Sequence, residues 1–138
     1  MGNNIKELIK KLGKQGKKAS IMMSTFTSET KNKALENISN TIQKNQSTIL
    51  KANQKDLEKA IKRKMSSAKI DRLTLDEKRI KNIQSSLLEI INFEDPINKV
   101  LESRIRPSGI KIKKISTPIG VIGIIYESRP NVTIDAAA

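Results

Sequence analysis

Ile119 to Tyr126 reads Ile-Gly-Val-Ile-Gly-Ile-Ile-Tyr, and no other stretch constrains the fold as much. A continuous apolar run rich in β-branched residues suits a strand covered on both faces, as in a parallel sheet. Gly120 and Gly123 leave room for a close backbone neighbour. A polar loop follows over Glu127–Asn131, and Val132–Ala138 begins a helix with Asn131 placed to cap it. Strand, polar loop and helix start are the first half of a βαβ unit. The second strand is missing, and Ala136-Ala137-Ala138 carries no helix stop signal. The chain therefore reads as an incomplete α/β domain.

Upstream the pattern is helical. Ile5, Leu8, Ile9 and Leu12 recur at helical spacing among lysines, and Gly13 and Gly16 should hold this to a short helix docked on the body of the protein. Thr27 and Ser28 suit the start of a helix with Ala34, Leu35, Ile38 and Ile42 on its apolar face. Ser47 suits the start of another, carrying Leu50, Leu57 and Ile61. Met65-Ser66-Ser67 breaks the pattern. Thr74-Leu75-Asp76-Glu77 reads as a capping box, ahead of the clearest stripe, Ile80, Ile83, Leu87 and Ile91. Asp95-Pro96 ends that helix, because a residue before proline is pushed out of the α region. Arg106-Pro107-Ser108-Gly109 then turns between two extended stretches, which predicts a β-ribbon. The expected organisation is a helical segment over 1–96, a ribbon over 97–118, and the start of a nucleotide-binding domain over 119–138.

Composition narrows the chemistry. The chain has 138 residues with no Cys and no His, so thiol nucleophiles, imidazole bases and Cys/His metal sites are absent from this stretch. No apolar run reaches the roughly 18 residues of a membrane span, and the N-terminus lacks the apolar region of a signal peptide. Met1–Lys6 begins like a myristoylation site but has Lys6 where Ser or Thr is wanted. The formal net charge is +13, which raises a basic nucleic-acid-binding protein as an alternative function. The lysines are scattered, however, and one Tyr and two Phe give little for base stacking. A membrane-surface role for Ile5–Leu12 is a third reading.

The stretch Pro118–Ala138, PIGVIGIIYESRPNVTIDAAA, resembles the strand–loop–helix signature of the γ-glutamyl phosphate reductases, members of the aldehyde dehydrogenase superfamily. Supporting stretches stand in the same order upstream: Leu50–Leu57, Asp71–Leu75, Asp95–Ile97 and Arg106–Ile110. The resemblance implies a truncated aldehyde dehydrogenase-like α/β fold. It also implies reduction of γ-glutamyl phosphate by NADPH to glutamate 5-semialdehyde and phosphate, in cytoplasmic proline biosynthesis. In that chemistry a thiolate attacks the acyl phosphate to form a thioester, and hydride then reduces it; that cysteine is not in this chain. The resemblance further implies a homo-oligomer and a functional link to glutamate 5-kinase. It places Ile125, Tyr126 and Glu127 at the cofactor, Arg129 and Ser128 at the substrate, and Asn131 as an oxyanion donor.

Several residues of this stretch also have a structural use. Asn131 suits a helix cap, Arg129 could pair with Glu127 or Asp135, Tyr126 could serve packing alone, and Asp135 suits the helix dipole. The scattered charge makes its own prediction: binding of this chain to DNA should be unspecific and fall steeply with salt. Fluorescence anisotropy across a salt series checks it; a complex that survives high salt, or strongly prefers one sequence, would contradict it.

Overall fold

The computed structural model describes residues 2–138, with side chains from Asn4 onward; the start motif at Met1 lies outside them. The elements in order are α1 (Gly2–Met23), α2 (Ser28–Lys44), α3 (Gln46–Lys62), α4 (Ser67–Leu73), α5 (Glu77–Ile91), β1 (Val100–Ile105), β2 (Lys111–Ile115) and α6 (Val132–Asp135). The chain divides into two compact units. One holds the residues through Ser28 together with Glu94–Gly123, and the other holds Glu29–Phe93 together with Ile124–Ala138.

In the first unit, α1 is longer than its glycines suggest. It runs for 22 residues through both Gly13 and Gly16. Gly16 has a packing reason: a Cβ there would lie 3.2 Å from Val121 Cγ1, so glycine lets residue 121 approach the helix. The helix ends where hydroxyls turn back on the backbone, Ser24 Oγ donating to the Ile21 carbonyl and Thr25 Oγ1 to that of Met22. The expected docking of its apolar stripe is absent, since Ile5, Leu8, Ile9 and Leu12 are all more than half exposed.

The ribbon forms as the turn signal predicts. β1 and β2 pair antiparallel, with Arg104 opposite Ile112 and a register shift between Val100 and Glu102. The Gly109 amide donates to the Arg106 carbonyl at 2.8 Å, and the Arg106 amide to the Ile110 carbonyl at 2.9 Å. Gly109 has φ +81°, a left-handed conformation that favours glycine. At the open end, Ser116 Oγ accepts from the Lys99 amide at 3.0 Å and donates to the Pro96 carbonyl.

The main departure from expectation is Ile119–Tyr126, where residues 119–126 form neither strand nor helix. A strand exists only through a neighbour's ladder of hydrogen bonds, and the only ladder among the described residues joins β1 to β2. Left without one, Ile119 and Ile125 are 88% and 102% exposed.

In the second unit, α5 supplies the core. Ile80 and Leu87 are each 1% exposed and Ile83 is buried, joined by Leu35 of α2 and Ala60 of α3. The apolar face of α3 differs from the expected one, with Ala60 inside and Ile61 60% exposed. Ser47 lies within α3 and does not start it; Asn45 occupies the junction with α2. The break at Met65-Ser66-Ser67 is followed by α4, which sequence periodicity missed. The α5 cap is Asp76, whose Oδ1 accepts from the Arg79 amide at 2.7 Å. Thr74 instead ends α4 and donates its hydroxyl to the Ile70 carbonyl, so the expected capping box does not form and the cap lies two residues further on.

A buried amide braces the α4–α5 connection from α3. Asn53 of α3 donates Nδ2 to the Leu73 carbonyl and accepts from the Leu75 amide through Oδ1, both at 2.8 Å, and is 6% exposed. Removing it strands two backbone groups, at about 1–3 kcal/mol each when buried. Asn53→Ala should therefore cost about 2–4 kcal/mol in chemical denaturation; a loss under about 0.5 kcal/mol, the scale of ordinary surface changes, would show that the bracket contributes little.

Candidate functional site

The loop after the apolar run is held by short-range bonds. The Val132 amide donates to the Arg129 carbonyl at 3.1 Å and the Thr133 amide to the Pro130 carbonyl at 3.3 Å. Ser128 holds φ 54°, left-handed for a residue with a side chain, at a cost on the order of 1 kcal/mol. The Tyr126 hydroxyl and Thr133 Oγ1 share a 2.8 Å hydrogen bond, which ties the end of the run to α6. Thr133 carries no motif of its own and was not expected at the site.

Asn131 does not cap α6. Its backbone is helical, at φ −61° and ψ −35°, and its side chain makes no cap bond. Its Nδ2 instead donates to Asp135 Oδ2 at 2.9 Å. Arg129 pairs with neither Glu127 nor Asp135: among the described residues its guanidinium has no ion pair or hydrogen bond.

Two clefts of the second unit meet at this loop. In one, of about 410 Å³, Arg129, Asn131 and Asp135 face Arg72 and Arg79 across the α4–α5 turn, with Asn82 and Ser86 of α5 along the wall. The other, also about 410 Å³, has Tyr126, Ser128 and Pro130 against Ala52, Asn53 and Leu73. Arg129 and Pro130 line both clefts, Asn131 only the first, and Tyr126 and Ser128 only the second, while Ile125 and Glu127 line neither. The first cleft has a braced wall. Arg79 donates to the Thr74 carbonyl at 2.8 Å and the Asp71 carbonyl, and its second nitrogen meets Asp71 Oδ1 at 2.6 Å. Arg79, Asn82 and Ser86 went unnoticed in the sequence, and Arg72 stood only in the Asp71–Leu75 stretch, with no site role. The Asp71–Leu75 stretch was the only signal near them.

The chain resembles γ-glutamyl phosphate reductases in both sequence and structure. It is 49% identical to that of Caldanaerobacter subterraneus subsp. tengcongensis, over 90% of this chain and 30% of the relative. It is 45% identical to that of Ruthia magnifica subsp. Calyptogena magnifica, over 99% of this chain and 32% of the relative. The crystal structure of the Thermotoga maritima reductase superposes with a TM-score of 0.87 at 38% identity, covering 90% of this chain and 30% of that one. The Saccharomyces cerevisiae reductase gives the same TM-score at 26% identity, covering 91% of this chain and 32% of that one. The chain matches the N-terminal part of the γ-glutamyl phosphate reductases. No family model matches. The chain spans about a third of the length of the reductases it matches.

The reductases that the chain resembles suggest a nicotinamide cofactor, for which the described residues hold little beyond an exposed apolar patch. Ile125 and the 44% exposed ring of Tyr126 offer an apolar face to a flat ring. Nothing at α6 suits the phosphates, which need free amides at a helix N-terminus: α6 has four residues, and the Val132 and Thr133 amides are already bonded. The described residues contain no group of three or more Cys, His, Asp or Glu able to hold a metal. No helix among them is long and apolar enough to cross a membrane.

Proposed function

We propose that this chain forms the N-terminal part of an enzyme that reduces γ-glutamyl phosphate to glutamate 5-semialdehyde and phosphate with NADPH, in proline biosynthesis in the cytoplasm. The observation that carries the reading is the match to reductases over nine-tenths of the chain, in sequence and in fold alike. A homo-oligomer and a link to glutamate 5-kinase belong to the same reading.

Within that enzyme, residues 119–138 open the nucleotide-binding domain, and the exposed run 119–125 takes its place in the sheet. Ile125, Tyr126 and Glu127 border the cofactor, which when bound supplies the hydride. Arg129, a fixed planar cation with no ion pair or hydrogen bond to its guanidinium among the described residues, binds an anionic oxygen of the substrate. Ser128 stands beside it. Asn131 donates to the oxygen that gains charge as the acyl group is attacked, its amide exchanging Asp135 for substrate. The thiolate that covalent catalysis requires is not among these residues, since the chain has no Cys.

The basic character gives no support to specific nucleic-acid binding, because the arginines that share a cleft face one another across a small pocket rather than along an open groove.

The test is a chimera in which this chain replaces the matching N-terminal segment of the Thermotoga maritima reductase. Phosphate-dependent oxidation of glutamate semialdehyde should be retained. Arg129→Ala in the chimera should cut kcat/KM about 100-fold, in line with loss of a charged contact of about 3 kcal/mol, with little change in Tm. Normal kinetics with a large fall in Tm would assign Arg129 to structure. A folded chimera with no activity would contradict the reductase reading.

A further inference from the structure

The cleft beside Arg129 holds more chemistry than the loop brings to it. Arg72 stands in the last turn of α4. Asn82 and Ser86 are four residues apart and so project from the same side of α5. None of these three side chains has an ion pair or hydrogen bond to another described residue. With Arg129, which lines the neighbouring cleft as well, they bring two guanidinium groups, one amide and one hydroxyl to the lining of one space.

The carboxylates in the same wall are not equivalent. Asp71 is matched by Arg79 at 2.6 Å. Asp135 has the neutral amide of Asn131 on Oδ2 and no ion pair among the described residues. The cleft therefore presents two unmatched positive groups and one unmatched negative group. A simple anion would satisfy the first and be repelled by the second. A ligand with two acidic ends and one ammonium satisfies all three. The volume, about 410 Å³, lies at the lower end of the range for small-molecule sites, about 300–1,000 Å³.

We propose that this cleft selects an acidic α-amino acid group. Arg72, with Asn82 and Ser86, holds its α-carboxylate; Asp135 holds its ammonium; Arg129 holds the acidic function at the far end. This rests on the reductase reading and extends it, making Arg72, Asn82, Ser86 and Asp135 the residues that distinguish a γ-glutamyl group from other acyl groups. Arg79 is a positioning residue: bound to Asp71 and the Thr74 carbonyl, it fixes the turn that presents Arg72.

The test is direct binding to the whole ¹⁵N-labelled chain at constant, low ionic strength, which separates it from any measurement of turnover. The probes are L-glutamate, glutarate (which lacks the ammonium) and inorganic phosphate. L-Glutamate should shift the side-chain amide of Asn82 and the backbone amides of Arg72, Ser86 and Arg129, and bind several-fold more tightly than glutarate or phosphate. Asp135→Asn should erase the preference over glutarate. Arg72→Gln should weaken both dicarboxylates about tenfold, the loss of about 1.4 kcal/mol. The proposal is overturned if phosphate binds as well as glutamate, if glutarate equals it, if shifts scatter over lysines elsewhere, or if the chain gives no dispersed spectrum. An inactive chimera alongside intact glutamate selectivity would instead count against the reductase reading alone.

Discussion

Everything in the second unit depends on how α5 buries its apolar stripe. Ile80 and Leu87 are almost wholly removed from solvent, and Ile83 is buried between them. Full burial of such side chains contributes about 1.5–3 kcal/mol each, a large share of what so small a core can supply. The neighbours attach to α5 by polar bonds at the edge of that stripe. Asn32 of α2 donates to the Ile91 carbonyl at 3.3 Å, and Gln84 of α5 donates to the Ser39 carbonyl of α2 at 3.2 Å. One face of the helix thus makes the core, while Asn82 and Ser86 on another look into the cleft. Stability and recognition are placed on a single element, whose rigidity serves both.

The turn before α5 is fixed by two side chains acting from opposite directions. Asn53 reaches from α3 to the backbone on either side of Thr74, and Arg79 reaches back from α5 to Asp71 and Thr74. Neither the buried amide nor the guanidinium leaves the turn much freedom, and both its carbonyls and its amide are satisfied. The polar lining of the cleft follows from this bracing, because Arg72 sits on the segment so held.

Local chemistry made part of this readable in the sequence. The α5 stripe, the hairpin turn with its left-handed Gly109 and the end of the helices before Pro96 each depend on residues within a few positions of one another. What escaped depends on distant partners. The Ile119–Tyr126 run has strand composition, yet a strand is a property of a pair, and β1 and β2 pair only with each other. Gly16 looks like a helix breaker until Val121 is seen beside it. Thr74 and Asp76 are both good caps, and their contest is decided by where α4 ends. Asn82 and Ser86 belong to no motif, Asn53 and Arg72 stand in stretches shared with the reductases, and all four acquire their roles only when α3, α4, α5 and the loop meet. The loop itself, Glu127–Asn131, was legible through its resemblance to the reductases, but its division between two clefts was not.

A chain about a third the length of the reductases it matches still brings α5 and the segment after Arg129 together in one compact unit. That association underlies both the catalytic reading of the loop and the selectivity assigned to the cleft. It is tested most directly by nuclear Overhauser contacts between α5 and α6 side chains, in a sample labelled at isoleucine, valine and leucine methyl groups. Ile134 and Val132 are half-buried and α6 packs on α5, so long-range contacts from these methyls to α5 are the predicted result. A spectrum in which residues 129–138 show only sequential contacts, while Ile80 and Leu87 keep theirs within the core, would contradict it.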